Sequence, residues 1–549
     1  MKRSLYFTLL AGSLLLFSCK KHGIEEVPLE QWQEDQIFDV TDSLGLYARN
    51  YSLDIYSRLP DGFNRIGTTT PMNLLDAASD DAVSSQVTST IESFTNGRIT
   101  AFNLMDDFWG DAYAAIRKCN IFMKSFDRVP LISNDEKKYW KAEVRLLRSY
   151  FYFELIKRYG GVPLLGDKVF TLQDDLQLPR NSWKECVQYI SSECDAVKDS
   201  LRVDPVSDQD LGRVTKAVSM SLKARVLLYD ASPLNNPAND KSRWQAAADA
   251  AKAVMDLNTF SLVPSFPNVF TTRKNTEVIF AKQRANTTDV EKTNGPVGYT
   301  GNGLGSGVTS PTQELVDAFE MKNGLPITDP ASGYNAARPY EGRDPRLDYT
   351  VMYNGMKWLG RPVETYEGGK DKPGGTVLQT RTGYYMRKFM ADYSKSTAYA
   401  NQTHNFIYFR YAEILLDFAE AQNEASGPDA GIYAAVESIR KRAGLQPFTL
   451  KAGLTQQQLR DVIRHERRVE LAFEEHRFWD IRRWKIADQV LNGTLHGTRI
   501  TLNADNSFSY QLIPVNDVKF ATKLYLYPIP YAEIIKNNRL QQNDGWESR

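Results

Sequence analysis

The feature that most constrains this chain is a recurrence of paired helical segments, each closed by a glycine or proline stop, flanking a glycine-rich centre. Ser133-Asn134-Asp135-Glu136 opens a helix with a capping-type start. It runs to about Tyr159 and stops at Gly160-Gly161-Val162-Pro163. Trp140, Val144, Leu147, Phe151 and Leu155 recur at helical spacing and form its core-facing set. A second helix is expected at about 181–200. The pattern repeats from Thr215 to Asp230, ends at Ser232-Pro233, and is followed by a helix at about 242–257. Near the C-terminus, Phe409 to Glu424 and about 429–443 form another pair, the latter ending at Gly444.

The first helices of these pairs resemble one another. An arginine, two apolar residues, one further residue and a tyrosine recur around Arg145 and Arg225, and Tyr411 to Leu416 is a looser relative. Paired helices repeated along a chain predict a tetratricopeptide-like stack with insertions. The middle differs, because residues 285–385 hold 16 of the 34 glycines, with many Tyr, Asn and Asp. Such punctuation predicts loops and short strands, with one strand at Glu277 to Lys282. The expected fold class is mainly α, with a loop-rich face carried on a helical body, where binding residues tend to sit.

The chemistry legible in the residues is sparse. Lys+Arg (67) balances Asp+Glu (67), which leaves no electrostatic footprint for nucleic acid. Five histidines offer little metal or imidazole chemistry. His465-Glu466 begins like a zincin motif, but the second histidine would have to stand at 469, which is Val469. His465 and His476 are read instead as members of an ion network among arginines and glutamates. The glycine run from Gly301 to Gly307 has Ser306 where a dinucleotide fingerprint needs its last glycine, and no P-loop lysine follows. It leads into Ser310-Pro311-Thr312-Gln313, read as a capping box with proline at the first helical position. No G-x-S-x-G surrounds a serine, and no carboxylate pair is singled out for glycosidase work. No cofactor and no metal site are expected. Cys119, Cys186 and Cys194 are read as small buried apolar residues, since Cys186 and Cys194 share a helix at about 12 Å separation, too far for a disulfide.

The first eighteen residues read as a sorting signal. Lys2 and Arg3 precede an apolar run of 13 residues from Leu5 to Phe17. Spanning a bilayer takes about 20 apolar residues, so the run fits a signal-peptide h-region. Leu16-Phe17-Ser18-Cys19 resembles a bacterial lipobox, which makes Cys19 the expected lipidation site. Lys20-Lys21-His22-Gly23 follows it.

Residues 455–484 are the most informative. Thr455 opens a helix expected to continue through Arg464 to Trp484. Val462, Val469, Ala472 and Phe473 form an apolar stripe, Arg and Glu pair beside it at i,i+3 and i,i+4, and Phe478, Trp479, Ile481 and Trp484 bury the end. The wording from Glu466 to Trp484 closely resembles the hallmark of the SusD/RagB family, surface lipoproteins of Bacteroidetes nutrient-uptake systems. Trp109 to Asn120, Arg148 to Pro163, Arg343-Asp344-Pro345-Arg346, Val436 to Leu445 and Leu526 to Trp546 match other family pieces in order. The resemblance implies a signal peptide at 1–18, an N-terminal SusD-like part at 19–270, and a C-terminal part at 271–549 with a loop-rich insertion at 285–405, both parts in one compact unit. It implies no enzyme. It implies an outer-membrane, lipid-anchored protein at the cell surface that captures oligosaccharide and works with a SusC-like TonB-dependent transporter. RagB-like members capture peptides instead, which is the alternative reading.

Stacking on a sugar ring needs exposed aromatic faces, so rings on helical stripes are poor candidates. The loop aromatics are Phe94, Trp109, Tyr299, Tyr334, Tyr340, Trp358 and Tyr366. In sugar-binding relatives the site draws on loops from about the first hundred residues and from the central region. The expected ligand-binding residues are therefore Phe94, Asn96, Tyr299, Trp358 and Tyr366, with Asp80 and Asp81 as hydroxyl partners.

Overall fold

A computed structural model describes residues 33–66, 72–299, 306–374 and 378–547. Cys19, the segment before it and residues 301–305 of the glycine run lie outside the described residues.

Ten helices of eight or more residues are present among the described residues: α1 (Leu46–Ser57), α2 (Trp109–Ser125), α3 (Asn134–Tyr159), α4 (Trp183–Val197), α5 (Lys216–Ala231), α6 (Lys241–Met255), α7 (Tyr411–Ser426), α8 (Ala430–Ala443), α9 (Gln456–Glu470) and α10 (His476–Arg483). Each of α2 to α7 packs on the next, and α7 also packs on α8 and α9. The fold is mainly α, as expected. The caps explain the boundaries. Ser133, Ser182, Thr215 and Thr455 each accept a backbone N–H three residues on, and Ser182–Glu185 and Thr455–Gln458 close full capping boxes. Gly444 ends α8 in the left-handed region at φ 90°, where a side chain would be strained. The predicted stripe of α3 is fully inside: Trp140 is 5% exposed and Val144, Leu147, Phe151 and Leu155 are at 0%. Cys119, Cys186 and Cys194 are free thiols in the core.

The strands form five two-stranded pairings: β1 (Ala82–Ser84) with β3 (Thr309–Pro311), β2 (Val278–Lys282) with β8 (Phe406–Arg410), β4 (Val351–Met352) with β7 (Tyr385–Met386), β5 (Lys357–Trp358) with β6 (Arg361–Pro362), and β9 (Gly493–Leu502) with β10 (Phe508–Val518). All are antiparallel. One apolar cluster extends from Phe38 to Trp546 and joins the helical stack to the loop-rich face.

Three sequence expectations are corrected. Ser310-Pro311 lies in strand β3, and the helix starts later, capped by Thr312, whose side chain accepts from Leu315 N–H. Phe409 and Arg410 belong to β8, not to α7. The hallmark helix breaks between Glu470 and His476, where Phe473 and Glu475 take φ of 64° and 63°. Isolated left-handed residues of this kind cost roughly 1–2 kcal/mol each, so the break must be held from outside the segment.

Candidate ligand-binding face

Asp80, Asp81 and Phe94 prove to be interior. Asp80 accepts two bonds from Arg477, at 2.8 and 2.7 Å, and Arg468 lies 3.1 Å from Asp80 and 2.7 Å from Asp81. Asp76 accepts the Phe473 backbone N–H at 3.0 Å. These carboxylates therefore clamp the break between α9 and α10, and none offers itself to a hydroxyl. Phe94, at 0% exposure, packs between Phe478 at 5.5 Å and Tyr527 at 5.6 Å. Trp358 is also at 0%. The β5–β6 turn folds its indole onto Tyr393 at 5.2 Å, and its N–H donates to the Tyr399 hydroxyl at 3.1 Å. An aromatic in a non-periodic segment carries no sign of which way it faces, and here burial won.

The other three expected residues are half-buried and reach the loop-rich face. Tyr299 lies under the Arg361 guanidinium, 3.7 Å from its ring centre, and donates its hydroxyl to the Arg361 carbonyl at 3.0 Å. Arg361 is held in turn by Asp371 at 2.8 Å. Tyr366 packs on Phe508 at 5.6 Å, at the start of β10. Asn96 sits at the opposite end of β10, bridged to Lys519, and its Oδ1 accepts from Arg98 Nε at 3.0 Å. The β9–β10 hairpin thus links Asn96 to Tyr366, while Trp358 lies in β5 and Tyr299 packs against Arg361 of β6. Two backbone bonds fix the hairpin over the central loop: Glu367 N–H to Ile500 O at 2.8 Å and Thr498 N–H to Thr382 O at 2.8 Å.

The densest ring cluster of this face is one the sequence did not assemble. Tyr340 stacks on Tyr353 at 4.1 Å and 19°, and Tyr384 and Tyr510 meet Tyr340 edge-on at 6.2 and 5.7 Å. Tyr349, 37% exposed, has the Arg387 guanidinium 5.3 Å from its ring centre. Tyr353 donates to Asp348 at 2.6 Å and Tyr384 to Gln313 at 2.7 Å. Burial raises the Tyr340, Tyr353 and Tyr384 phenols above their ordinary range, so all three stay neutral hydroxyls. The only advance signal was local: Tyr349 and Tyr353 follow the Arg343-to-Arg346 loop within the glycine-rich stretch. Tyr510 lies some 150 residues away, and only the hairpin brings it there.

Such a face offers flat apolar rings, hydroxyls, guanidinium and carboxylate groups. Glu320, pushed up to about 7 by burial, lies 3.6 Å from His465. Burial and the Arg468, Arg346 and Arg440 charges push His465 down to about 4, so it is a neutral neighbour inside the ion network. Among the described residues no group of three His, Cys, Asp or Glu side chains is arranged to hold a metal ion, and no helix is long and apolar enough to cross a membrane.

The SusD family model matches residues 276–546, and a second model, described as starch-binding associating with outer membrane, matches residues 64–228. A crystal structure of a SusD-like protein from Bacteroides fragilis is 31% identical, covers 94% of this chain and 100% of its own, and superposes with a TM-score of 0.79. This chain belongs to the SusD/RagB family. A SusD-like carbohydrate binding protein of the same organism shares the fold at 24% identity, with a TM-score of 0.75 over 91% of this chain and 99% of that one. SusD-like protein P2 of Formosa agariphila is 25% identical over 82% of this chain and 84% of its own length. The SusD/RagB hallmark from Glu466 to Trp484 acts in this chain as interior scaffolding, whereas the half-exposed rings lie in the central loops and the hairpin.

Proposed function

We propose that this chain is a non-catalytic glycan-capturing lipoprotein, anchored in the outer membrane through Cys19, that delivers oligosaccharide to a SusC-like TonB-dependent transporter. The observation that carries the reading is the partly exposed ring cluster of Tyr340, Tyr353 and Tyr510, together with the exposed Tyr349 and the half-buried Tyr366 that packs on Phe508, set among hydroxyl, amide and charged groups. Ring faces suit the apolar faces of sugars, and the polar groups suit their hydroxyls. The carbohydrate-binding relative and the description of the second family model support the same direction.

Calorimetry on the mature chain against a panel of neutral oligosaccharides tests it. At least one should bind, and Tyr349→Ala and Tyr366→Ala should each weaken that binding about tenfold, equivalent to ~1.4 kcal/mol, with the melting temperature unchanged. Binding of peptides but of no glycan would move the protein to the RagB-like reading. Anchoring is tested separately: metabolic labelling with a radioactive fatty acid should mark the chain, and Cys19→Ala should abolish the label.

A further inference from the structure

Most buried arginines among the described residues are matched to carboxylates, Arg343 and Arg482 excepted, and the half-buried Arg464 also lacks one. Arg464 projects from α9 with its guanidinium 4.6 Å from the Trp484 ring centre. Its Nε is buried and without a partner, and no carboxylate stands within ion-pair distance among the described residues. The two nearby acids are already taken. Glu424 is held by Arg460, at 2.6 Å for one of two bonds. Glu420 is held by both ends of Arg483, at 2.6 and 2.7 Å, and by the Trp484 N–H at 2.7 Å.

Arg464 lines a cleft of about 440 Å³ together with Asn236, Asn239, Lys485 and the ion-paired Arg460 and Glu424. Lys485 also lines a second cleft, of about 730 Å³, so the two meet there. Lys485 is exposed, forms no ion pair among the described residues, and holds its backbone in the left-handed region at φ 55°. In the second cleft, Arg180 is bonded only to neutral acceptors: the carbonyls of Gly161, Tyr159 and Gln541 and the Asn543 amide oxygen. Arg464, Lys485 and Arg180 thus line the two clefts without a carboxylate partner, beside the paired Glu424 of the first and Glu185 and Asp544 of the second, on a protein whose formal net charge is zero. Each cleft falls in the size range of small-molecule sites. A guanidinium braced on an indole presents its remaining N–H groups as a fork suited to carboxylate or sulfate.

We infer that this groove, centred on Arg464 and Lys485 at the junction of α5, α9 and α10, binds the carboxylate or sulfate ester of an acidic saccharide. The inference rests on the glycan-capture reading but uses a site separate from the tyrosine face.

The test uses the full-length chain in detergent with a galacturonate trimer, its carboxyl-reduced neutral counterpart, and sodium sulfate. The acidic trimer should bind at least about tenfold more tightly than the neutral one, and less tightly as salt rises. Arg464→Gln and Lys485→Gln should each weaken the acidic trimer about fivefold or more and leave neutral oligosaccharides unaffected. Arg464→Lys should not restore binding, because a point charge lacks the fork. The exposed Lys485 keeps the test independent of folding, and the melting temperature of Arg464→Gln should be equal or higher, since a half-buried cation without a carboxylate is removed. Equal affinity for acidic and neutral trimers, or unchanged binding in both variants, overturns the inference. Sulfate binding as tightly as the trimer overturns the saccharide assignment. Neutral glycans binding at the tyrosine face with no acidic preference would sink this groove alone, whereas no saccharide of either kind binding would sink the glycan-capture reading as well.

Discussion

Asp76, Asp80 and Asp81 lie within six residues of one another, yet their carboxyls are driven in different directions. Burial, with Asp81 and Glu475 nearby, pushes Asp76 up to about 8 despite the Phe473 N–H it accepts. Burial also opposes ionisation of Asp80, but Arg468 and Arg477 reverse the effect and hold it well below the usual carboxylate range. The folded protein thus keeps a proton on Asp76 at neutral pH that the unfolded chain, with an ordinary value of about 3.9, has released. Stability from that proton is complete below about pH 4 and is lost as pH rises through about 8. The melting temperature of the native chain should therefore fall relative to Asp76→Asn between about pH 5 and 9, and a constant difference would refute the protonated state. Trp358 gives a second residue-scale expectation. Its indole is sealed against Tyr393 and Tyr399, so Trp358→Ala should lower unfolding stability by about 3–5 kcal/mol in a denaturant titration. Had it been a ligand platform, stability would hold and only binding would fall.

At the scale of elements, the break between α9 and α10 explains why so many charged residues crowd the hallmark. Read along one helix, the Arg and Glu residues of 464–477 suggest local pairs at i,i+3 and i,i+4. The folded chain uses them over long range. Arg467 pairs with Asp417 at 2.5 Å and Asp480 at 2.7 Å. Glu470 receives Arg346 at 2.9 Å, Arg410 at 2.7 Å, and Arg442. Glu474 receives Lys388 and Arg410, both at 2.7 Å. Arg65 reaches Glu475 at 2.8 Å. The turn at Phe473 and Glu475 is strained, and this ring of partners holds it. Removing one partner of such a pair strands the other charge, so Asp80→Ala, which leaves Arg477 buried, should cost about 3–5 kcal/mol. A urea midpoint indistinguishable from the native chain would show that the clamp contributes nothing.

At the scale of the molecule, the early and late parts of the chain are tied repeatedly. β1 pairs with β3 through Ala82–Pro311, Arg225 donates to Glu413 at 2.7 Å, and Arg483 donates to Ser232 at 3.0 Å. The C-terminal segment returns to α3, where Tyr527 N–H donates to the Arg158 carbonyl at 2.7 Å and its hydroxyl to Asp106 at 3.1 Å. Residues 19–270 and 271–549 expressed separately should therefore fail to fold, giving neither a cooperative melt by circular dichroism nor protease resistance. A cooperative transition in either half would establish an independent domain.

The sequence by itself determined the helix pairs, their caps, the buried stripe of α3, the loop-rich centre and the family. These are written in short-range periodicity, in capping residues and in contiguous wording, all of which survive reading along the chain. The fate of an isolated ring or acid in a non-periodic loop is not. Phe94, Trp358, Asp80 and Asp81 were expected on the binding face and lie in the interior, because their orientation depends on partners such as Phe478, Tyr399, Arg477 and Arg468 that are about 40 to 400 residues distant. The same holds in reverse for the tyrosine cluster and for Arg464. Which rings remain half-exposed, and which guanidinium is left without a carboxylate, is decided only when the folded chain has assigned every other partner.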